Sequence, residues 1–203
     1  MDMGRLWHGE RSVRFMMIAG LGADGLMLER TDPRLKRAVG PAAIAVGIAL
    51  VLPGLRPVEA IVRVEGCVAW EGPLAQAIVS NSRLYADVVR PAPEAAVDDG
   101  ILDVTLVPFT GALALARAAV RLARWREPGD ALPRFRGTHV EVECAEPLAL
   151  EVDGSPVRRP SHGRTTYRLT VERDILQVRI PRSYRGSLFG APSPDARHLA
   201  ASA

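Results

Sequence analysis

Residues 138–171 read THVEVECAEPLALEVDGSPVRRPSHGRTTYRLTV, and this stretch decides the fold class. Apolar and polar side chains alternate over Thr138–Cys144 and again over Arg164–Val171. Because successive side chains of a β-strand point to opposite faces, the alternation predicts two strands that each bury one face. A third run, Pro147–Val152, leads into an Asp-Gly pair that is typical of a turn. Short strands separated by turns predict an antiparallel sheet.

Similar runs of alternating or β-branched residues occur along the rest of the chain. With many Gly and Pro residues, they predict a mostly β (α+β) protein, an antiparallel β-sandwich with two helices. The further predicted strands are Ser12–Ala19, Pro57–Val64, Leu74–Ser80, Leu84–Arg90, Ile101–Val107 and Ile175–Ile180. The predicted helices lie within Gly40–Leu52 and Gly111–Arg126. From Arg182 onward the alternation ends, so we predict one domain over residues 1–181 and a disordered tail over 182–203.

The amino-acid composition restricts the classes of molecule that the protein is expected to bind. The 203 residues include 26 Lys and Arg against 23 Asp and Glu, a formal net charge of +3 at pH 7, and Lys36 is the only lysine. Arg side chains suit phosphate and anionic surfaces, but so small an excess does not predict a nucleic-acid partner. Cys67 and Cys144 are far apart, and no basic-then-apolar leader opens the sequence. We therefore expect a protein of the reducing cytoplasm.

Two segments have the character of membrane-contacting helices. Residues 38–55 contain no charged side chain, but Pro and Gly at both ends leave about eleven helical residues. That is about 17 Å of helix against about 30 Å of hydrocarbon, so a buried or lipid-facing helix is predicted. In the second helix, Arg117, Arg121 and Arg124 follow at i, i+4 and i+7 and form one basic stripe. The stripe suits an anionic membrane surface or, equally, a solvated face over an ordinary core.

The sequence GLGADG, residues 20–25, satisfies G-x-G-x-x-G after a predicted strand. A dinucleotide site needs these glycines to open a helix and needs a second, parallel strand beyond it. Pro33 interrupts the following segment, and the later chain has few crossover helices. The other interpretation is a glycine-rich strand end where backbones approach closely, with Asp24 holding a polar head group. The GLGADG match therefore gives one hypothesis for function, a nicotinamide-binding enzyme, and two others are described below.

Two further segments contain Asp-Gly pairs. The first, NSRLYADVVRPAPEAAVDDGILDV, covers residues 81–104, and its Asp-Gly pair indicates a turn. One carboxylate with nearby backbone carbonyls can also hold an oxygen-binding cation such as Mg²⁺. In the second segment, LEVDGSPV, Glu151 and Asp153 would lie on one strand face about 6.6 Å apart. This spacing suits acid-base chemistry and is equally consistent with a solvated strand end.

The order of GLGADG, NSRLYADVVRPAPEAAVDDGILDV, a basic helix, THVEVEC and LEVDGSPV resembles the C-terminal part of the soluble diacylglycerol kinase and sphingosine kinase family of lipid kinases. The resemblance covers about residues 1–181. It implies a β-sandwich that receives the lipid, in a kinase whose other domain binds ATP through a Gly-Gly-Asp-Gly-Thr loop. Neither that loop nor G-x-x-x-x-G-K-[ST] occurs in the sequence. Because phosphoryl transfer depends on positioning and charge stabilisation of the phosphates, we expect catalysis only with a nucleotide-binding domain, for example in trans.

The resemblance also implies where lipid and metal would bind. Asp24 matches the acidic position of the glycine-rich turn and would face the lipid head group, and Asn81 is the second substrate-binding candidate. The DDG segment matches a structural Mg²⁺ loop. In that loop Asp99 would supply its carboxylate, while Ala96 and Ile101 would supply backbone carbonyls.

The catalytic strand end is where the sequence departs from the family pattern. The family has Asp-Gly-Glu there, with the Glu as proton acceptor, and this chain has Asp153, Gly154 and Ser155. A serine hydroxyl does not deprotonate near neutral pH and cannot replace a carboxylate without another base. Asp153 then remains as the catalytic candidate beside Ser155, with Glu151 as a surrogate.

The resemblance therefore predicts a lipid kinase of phospholipid metabolism that transfers the γ-phosphate of ATP, with Mg²⁺, to a lipid hydroxyl. Its substrate would be diacylglycerol or a sphingoid-like lipid, and the protein would be cytoplasmic and peripheral to an anionic membrane. The alternative is a non-catalytic lipid-binding or membrane-binding module derived from such a kinase. Ser155 in place of Glu supports this alternative.

Overall fold

The computed structural model describes residues 1–30, 55–84, 90–111 and 132–181, residues 113, 115 and 117, and residues 183–184, 186 and 188–190. The described residues form eleven strands and the helix α1, Ala23–Arg30. The strands are β1 Met3–His8, β2 Arg11–Phe15, β3 Ile18–Gly22, β4 Val58–Val64, β5 Cys67–Ser80, β6 Leu102–Pro108, β7 Arg134–Gly137, β8 His139–Cys144, β9 Leu150–Val152, β10 Ser155–Val157 and β11 Thr165–Glu172.

The strands form two layers that share the long strand β5. One layer has the order β4-β8-β11-β1-β2, and the other contains β10, β9, β3, β5, β6 and β7. The first half of β5 pairs with β4, whereas Gln76–Ser80 pairs with β3 on one side and β6 on the other. Every strand pair in the described residues is antiparallel. The predicted antiparallel β-sandwich is therefore confirmed.

A single apolar core lies between the two layers. It contains Val142 and Leu169 from one layer and Leu21, Val104 and Leu150 from the other, all fully buried. Val104, Val142 and Leu169 are apolar positions of alternating runs, which is why the sequence pattern locates them, whereas Leu21 lies outside the predicted strands. Burial raises the pKa of Cys144 to about 12 because a thiolate would lose its hydration in this core.

The second layer is buried on its outer face as well. Strands β3, β6 and β9 and the second half of β5 are buried almost residue by residue, without alternation. Five polar side chains lie on this outer face beside Ile18 and Ile78, and we call them the buried polar face: Gln76, Ser80, Asp103, Thr105 and Glu151. The loop before β6 covers part of this face, because Thr105 Oγ1 donates to the Pro91 carbonyl at 2.8 Å. Polar groups in such a position require partners or ligands.

Several strand predictions were wrong in extent or kind, and two differ most. The predicted strand Ser12–Ala19 is two strands, β2 and β3, joined by a turn at Met16 and Met17. The predicted strand Ile175–Ile180 is not a strand, since its alternation has no neighbouring strand to pair with, and both isoleucines are about half exposed. Of the predicted strand Leu84–Arg90, residues 85–89 lie outside the described residues.

The helix predictions are only partly covered. The predicted helix within Gly40–Leu52 lies outside the described residues. Of Gly111–Arg126, the structure describes Gly111 and three helical residues, Leu113, Leu115 and Arg117. The helix α1 was not predicted, because the glycine-rich turn that begins it resembles a strand end. No helix within the described ranges is long and apolar enough to cross a membrane.

Candidate functional site

The glycine-rich turn packs α1 tightly against the second layer. Gly22 ends β3 with φ +122°, and a Cβ there would lie 2.3 Å from the Ala75 carbonyl oxygen. A Cβ on Gly25 would lie 2.5 Å from the Ala149 carbonyl carbon. The glycines are thus required by close backbone approach. Since β3 is antiparallel to both of its neighbours, β5 and β9, the turn is not a dinucleotide-binding βαβ unit, and the nicotinamide hypothesis loses the motif on which it rested.

Asp24 is held at the start of α1 by Gln76 of the buried polar face. The Asp24 N–H donates to Gln76 Oε1 at 2.7 Å, and Gln76 Nε2 donates to Asp24 Oδ2 at 2.8 Å. This reciprocal pair fixes the carboxylate of a half-buried residue over the end of the sheet. Sequence reasoning missed Gln76, although a lone amide in the apolar run LAQAIVS was a signal that could have found it.

Glu151 lies beside Asp24 on the same face. It is opposite Gly20 in the pairing of β3 with β9, and a Cβ on Gly20 would lie 3.0 Å from Glu151 Oε1 and 3.2 Å from Asp24 Cβ. Glu151 is fully buried, and its Oε2 accepts the Gly154 N–H at 2.8 Å. The structure therefore brings together Asp24, Gln76 and Glu151, which we call the acidic turn cluster. Gly20 leaves the space in which the two carboxylic side chains meet.

Asp153, the predicted catalytic carboxylate, holds the turn between β2 and β3. Its Oδ2 accepts the Met16 N–H at 2.7 Å, and its Oδ1 accepts the Met17 and Ile18 N–H groups at 2.8 and 3.0 Å. Asp153 has φ +48°, which places its short side chain back over that turn. Ser155 follows as the first, exposed residue of β10. A catalytic role for either residue stays a prediction.

Asn81, the second predicted substrate-binding residue, holds the same turn from its other side. Its Nδ2 donates to the Met16 carbonyl at 2.9 Å and to the Asp2 carbonyl at 3.1 Å, and its backbone N–H donates to the Met17 carbonyl at 2.8 Å. Asn81 is 1 % exposed. It lies apart from the acidic turn cluster in the hydrogen-bond pattern, and its contact with a lipid stays a prediction.

The predicted Mg²⁺ loop has its carboxylate already engaged. Asp99 Oδ1 accepts the Ile101 N–H at 3.0 Å, and Oδ2 is 2.9 Å from Arg136 Nη2. The Ala96 carbonyl accepts the Asp99 N–H at 3.5 Å. No group of three or more His, Cys, Asp or Glu side chains in the described part of the chain is arranged to hold a metal. As folded here these residues do not fit a Mg²⁺ ion, because a guanidinium holds the oxygen that the ion needs.

A second carboxylate shares that guanidinium. Arg136 Nε is 2.9 Å from Oδ1 of Asp103, a member of the buried polar face. Burial raises the pKa of Asp103 to about 6, and burial also raises the pKa of Asp99, although Arg136 opposes both shifts. Sequence reasoning missed Arg136 and Asp103. Of the basic stripe, only Arg117 is a described residue; Arg121 and Arg124 are not.

A comparison with protein families identifies most of the sandwich, from β3 to β11. The model of the YegS C-terminal NAD kinase beta sandwich-like domain matches residues 18–178. The chain belongs to this family. The matched residues include the acidic turn cluster, the DDG loop and the β9–β10 turn.

Curated relatives in the same family carry the name "Probable lipid kinase YegS-like". The protein of Stenotrophomonas maltophilia is 30% identical over 131 residues, which are 63% of this chain and 42% of that protein. The protein of Alcanivorax borkumensis is 25% identical over 174 residues, 82% of this chain and 54% of that protein. The chain spans about half the length of the curated relatives it matches. The predicted relationship to lipid kinases is confirmed at the level of family.

Solved structures confirm the fold. Two crystal structures of a candidate diacylglycerol kinase from Bacillus anthracis superpose with TM-scores of 0.59 and 0.56, each at 16% sequence identity. They cover 85% of this chain and 54% and 53% of those chains. The predicted lipid-kinase C-terminal fold is therefore correct for this chain.

Proposed function

We propose that the chain is the lipid-receiving domain of an ATP-dependent lipid kinase, and that the head group of the lipid binds at the acidic turn cluster. Membership of the YegS C-terminal family supports the first part. The observation that carries the second part is the reciprocal hydrogen-bonded pair of Asp24 and Gln76, with Glu151 beside it. A carboxylate held in place in this way can accept hydrogen bonds from hydroxyl or amine groups of a head group. Diacylglycerol and sphingoid-like lipids both carry such groups.

The proton of the lipid hydroxyl needs an acceptor, and we assign this role to Glu151. Both oxygens of Asp153 already accept backbone N–H groups, and Ser155 has no carboxylate. Glu151 lies next to the proposed head-group residue Asp24. Asp153 would then act by positioning the turn at Met16, and a catalytic part for Asp153 or Ser155 is the competing assignment. General-base catalysis is worth about 10²–10⁴-fold in rate.

ATP would be bound mainly by a nucleotide-binding domain that this sequence does not contain. The sequence has no Gly-Gly-Asp-Gly-Thr loop, and transfer of a γ-phosphate requires backbone amides and cations around the phosphates. We propose that this domain acts together with the chain, in the same or a separate polypeptide. Mg²⁺ would arrive with the phosphates of ATP as part of the substrate.

We also propose peripheral contact with an anionic membrane surface. The uncharged segment 38–55 and the basic stripe Arg117, Arg121 and Arg124 support it by sequence. A basic helix with an apolar face binds such a surface through apolar burial and attraction to anionic lipids. In this arrangement the lipid reaches the acidic turn cluster without leaving the membrane completely.

A second candidate is a non-catalytic lipid-binding module of the same family. The specific observation in its favour is Ser155, a hydroxyl at the position of the family's proton acceptor. Such a module would bind lipid at the acidic turn cluster and transfer no phosphate.

Exchange of domains distinguishes the two candidates. The matching half of the Stenotrophomonas maltophilia relative is replaced by this chain, and ATP-dependent phosphorylation of diacylglycerol and of a sphingoid base is measured. We expect the fusion to phosphorylate a lipid and expect Glu151→Gln to lower the rate by about 10²-fold or more, with Ser155→Ala as the neutral control. Activity that appears only after Ser155→Glu would favour the non-catalytic module. A fusion that is inactive with either residue, while the parent enzyme is active, would contradict the kinase assignment.

A further inference from the structure

Arg136 joins the loop before β6 to the strand itself. It lies on β7 directly opposite Asp103 of β6. From there its guanidinium contacts Asp103 Oδ1 through Nε and Asp99 Oδ2 through Nη2, each at 2.9 Å. Asp99 belongs to the loop and Asp103 to the strand, so one side chain connects the two elements.

The same loop is fastened to the rest of the domain by a second buried carboxylate. Asp2 is 2 % exposed, and its Oδ2 accepts the Gly100 N–H at 2.7 Å while its Oδ1 accepts the Asp174 N–H at 2.8 Å. Gly100 has φ +71°, and a Cβ there would lie 2.5 Å from Arg173 Nε. Asp2, Asp99 of the loop and Asp103 of β6 therefore lie close enough for their negative charges to repel one another, and this repulsion is relieved by positive charge nearby.

We propose that the Arg136 guanidinium is the resident counter-ion of Asp99 and Asp103, and that it takes the place which the family resemblance gives to Mg²⁺. A planar guanidinium presents N–H groups on separate edges and can bind two carboxylates at once, whereas an ammonium is a point charge. The Arg136 side chain is 40% exposed and the Asp103 side chain only 9% exposed. The contact of Arg136 with Asp103 is therefore better shielded from water than its contact with Asp99. The loop of this chain is accordingly folded without a divalent cation.

In this geometry Arg136 and a divalent cation would compete for the carboxylate of Asp99. A divalent cation that binds Asp99 has to displace the guanidinium or lie beside it, and two cations at one carboxylate repel each other. Wild-type protein should therefore gain no stability from millimolar Mg²⁺, since a ligand raises stability only when it binds the folded state. Removing the guanidinium leaves two partly buried carboxylates that a divalent cation can bridge.

Thermal unfolding of the full chain tests the inference. Wild type, Arg136→Gln, Arg136→Lys and Arg168→Gln are melted in EDTA and in rising concentrations of MgCl₂. Arg168 is the matched control, because it is an arginine in an exposed ion pair away from this loop. It lies on β11, its side chain is 64% exposed, and its Nε is 3.4 Å from Glu141 Oε1. Wild type and Arg168→Gln should melt at the same temperature with and without Mg²⁺. Arg136→Gln should melt roughly 5–10 °C lower in EDTA and recover part of the loss in Mg²⁺, with Arg136→Lys between the two.

Three results would overturn the inference. One is a wild-type melting temperature that rises with Mg²⁺ as much as that of Arg136→Gln, because the loop would then hold the ion beside the arginine. Another is an Arg136→Gln variant as stable as Arg168→Gln. If Arg136→Gln does not fold, Arg136→Lys decides, and a Lys variant with wild-type stability contradicts the need for a guanidinium. All three readouts are melting temperatures, so the inference stands or fails independently of the proposed lipid kinase activity.

Discussion

Replacing Gly22 by Ala is expected to remove a large part of the stability of the domain. At φ +122° an L-residue is strained, and the added Cβ would lie 2.3 Å from the Ala75 carbonyl oxygen, which belongs to the backbone of β5 and cannot rotate away. Strain and overlap together should cost about 3–5 kcal/mol. A domain of this kind has about 5–15 kcal/mol in total, so the variant should be close to unfolding.

Two other glycines allow the cost of backbone strain to be separated from the cost of steric overlap. Gly163 has φ +91° and nothing within 4 Å of the Cβ position, so Gly163→Ala should cost only the strain, about 1–2 kcal/mol. Gly25→Ala adds the overlap with Ala149 and should cost about 1–3 kcal/mol. Urea unfolding of the three variants measures these losses as shifts of the midpoint at constant slope. A Gly22→Ala variant no less stable than Gly163→Ala would show that the end of β3 does not lie against β5 as described.

Replacing Asp153 by Ala is expected to destabilise the protein by about 2–4 kcal/mol. The carboxylate accepts three backbone N–H groups of the turn between β2 and β3, and hydrogen bonds to a charged group contribute about 1.5–3 kcal/mol each when fully protected. Water can replace part of them because Asp153 is exposed, which lowers the total. Asp153→Asn should lose less, since an amide oxygen still accepts and Asn tolerates φ +48°.

Ser155→Ala is the matched control for this experiment. It lies in the same turn region, is exposed, and should change stability by no more than about 0.5 kcal/mol. Chemical denaturation of the three variants separates a structural from a catalytic carboxylate. If Asp153→Ala were as stable as Ser155→Ala, the hydrogen bonds to the turn would contribute little to the stability of the fold. That result would favour a catalytic role for Asp153 over a structural one.

Strands whose alternation is strong could be predicted from the sequence. The runs at Thr138–Cys144 and Arg164–Val171 became β8 and β11 with small changes at their ends. Strand β7, Arg134–Gly137, was missed because four residues, two of them arginines, are too few to show a period. The segment Ile175–Ile180 shows the opposite failure, since its pattern is strand-like but a strand also needs a neighbour, which no local pattern reveals.

The site could be predicted only where the motif is local. Asp24 was found because it lies inside GLGADG, and the resemblance to lipid kinases gave it the role of facing a lipid head group, which stays a prediction. Its partner Gln76 is 52 residues away, and Arg136 is 37 residues from Asp99. Contacts of that separation are set by strand register, which the sequence does not display. The contact of Asp153 with the Met16 N–H joins residues 137 positions apart and could not be predicted for the same reason, while the catalytic role of Asp153 stays a prediction.

Binding of the full chain to lipid vesicles tests the central claim most directly. Flotation is compared for neutral phosphatidylcholine vesicles alone, with added diacylglycerol, with a sphingoid base, and with an anionic phospholipid as control for surface charge. We expect one of the two hydroxyl-bearing lipids to increase binding beyond the neutral and anionic controls, and Asp24→Asn to reduce that increase by about 10-fold, the effect of about 1.4 kcal/mol. Equal binding to vesicles with and without either lipid, for wild type and Asp24→Asn alike, would contradict a lipid-receiving role for this domain.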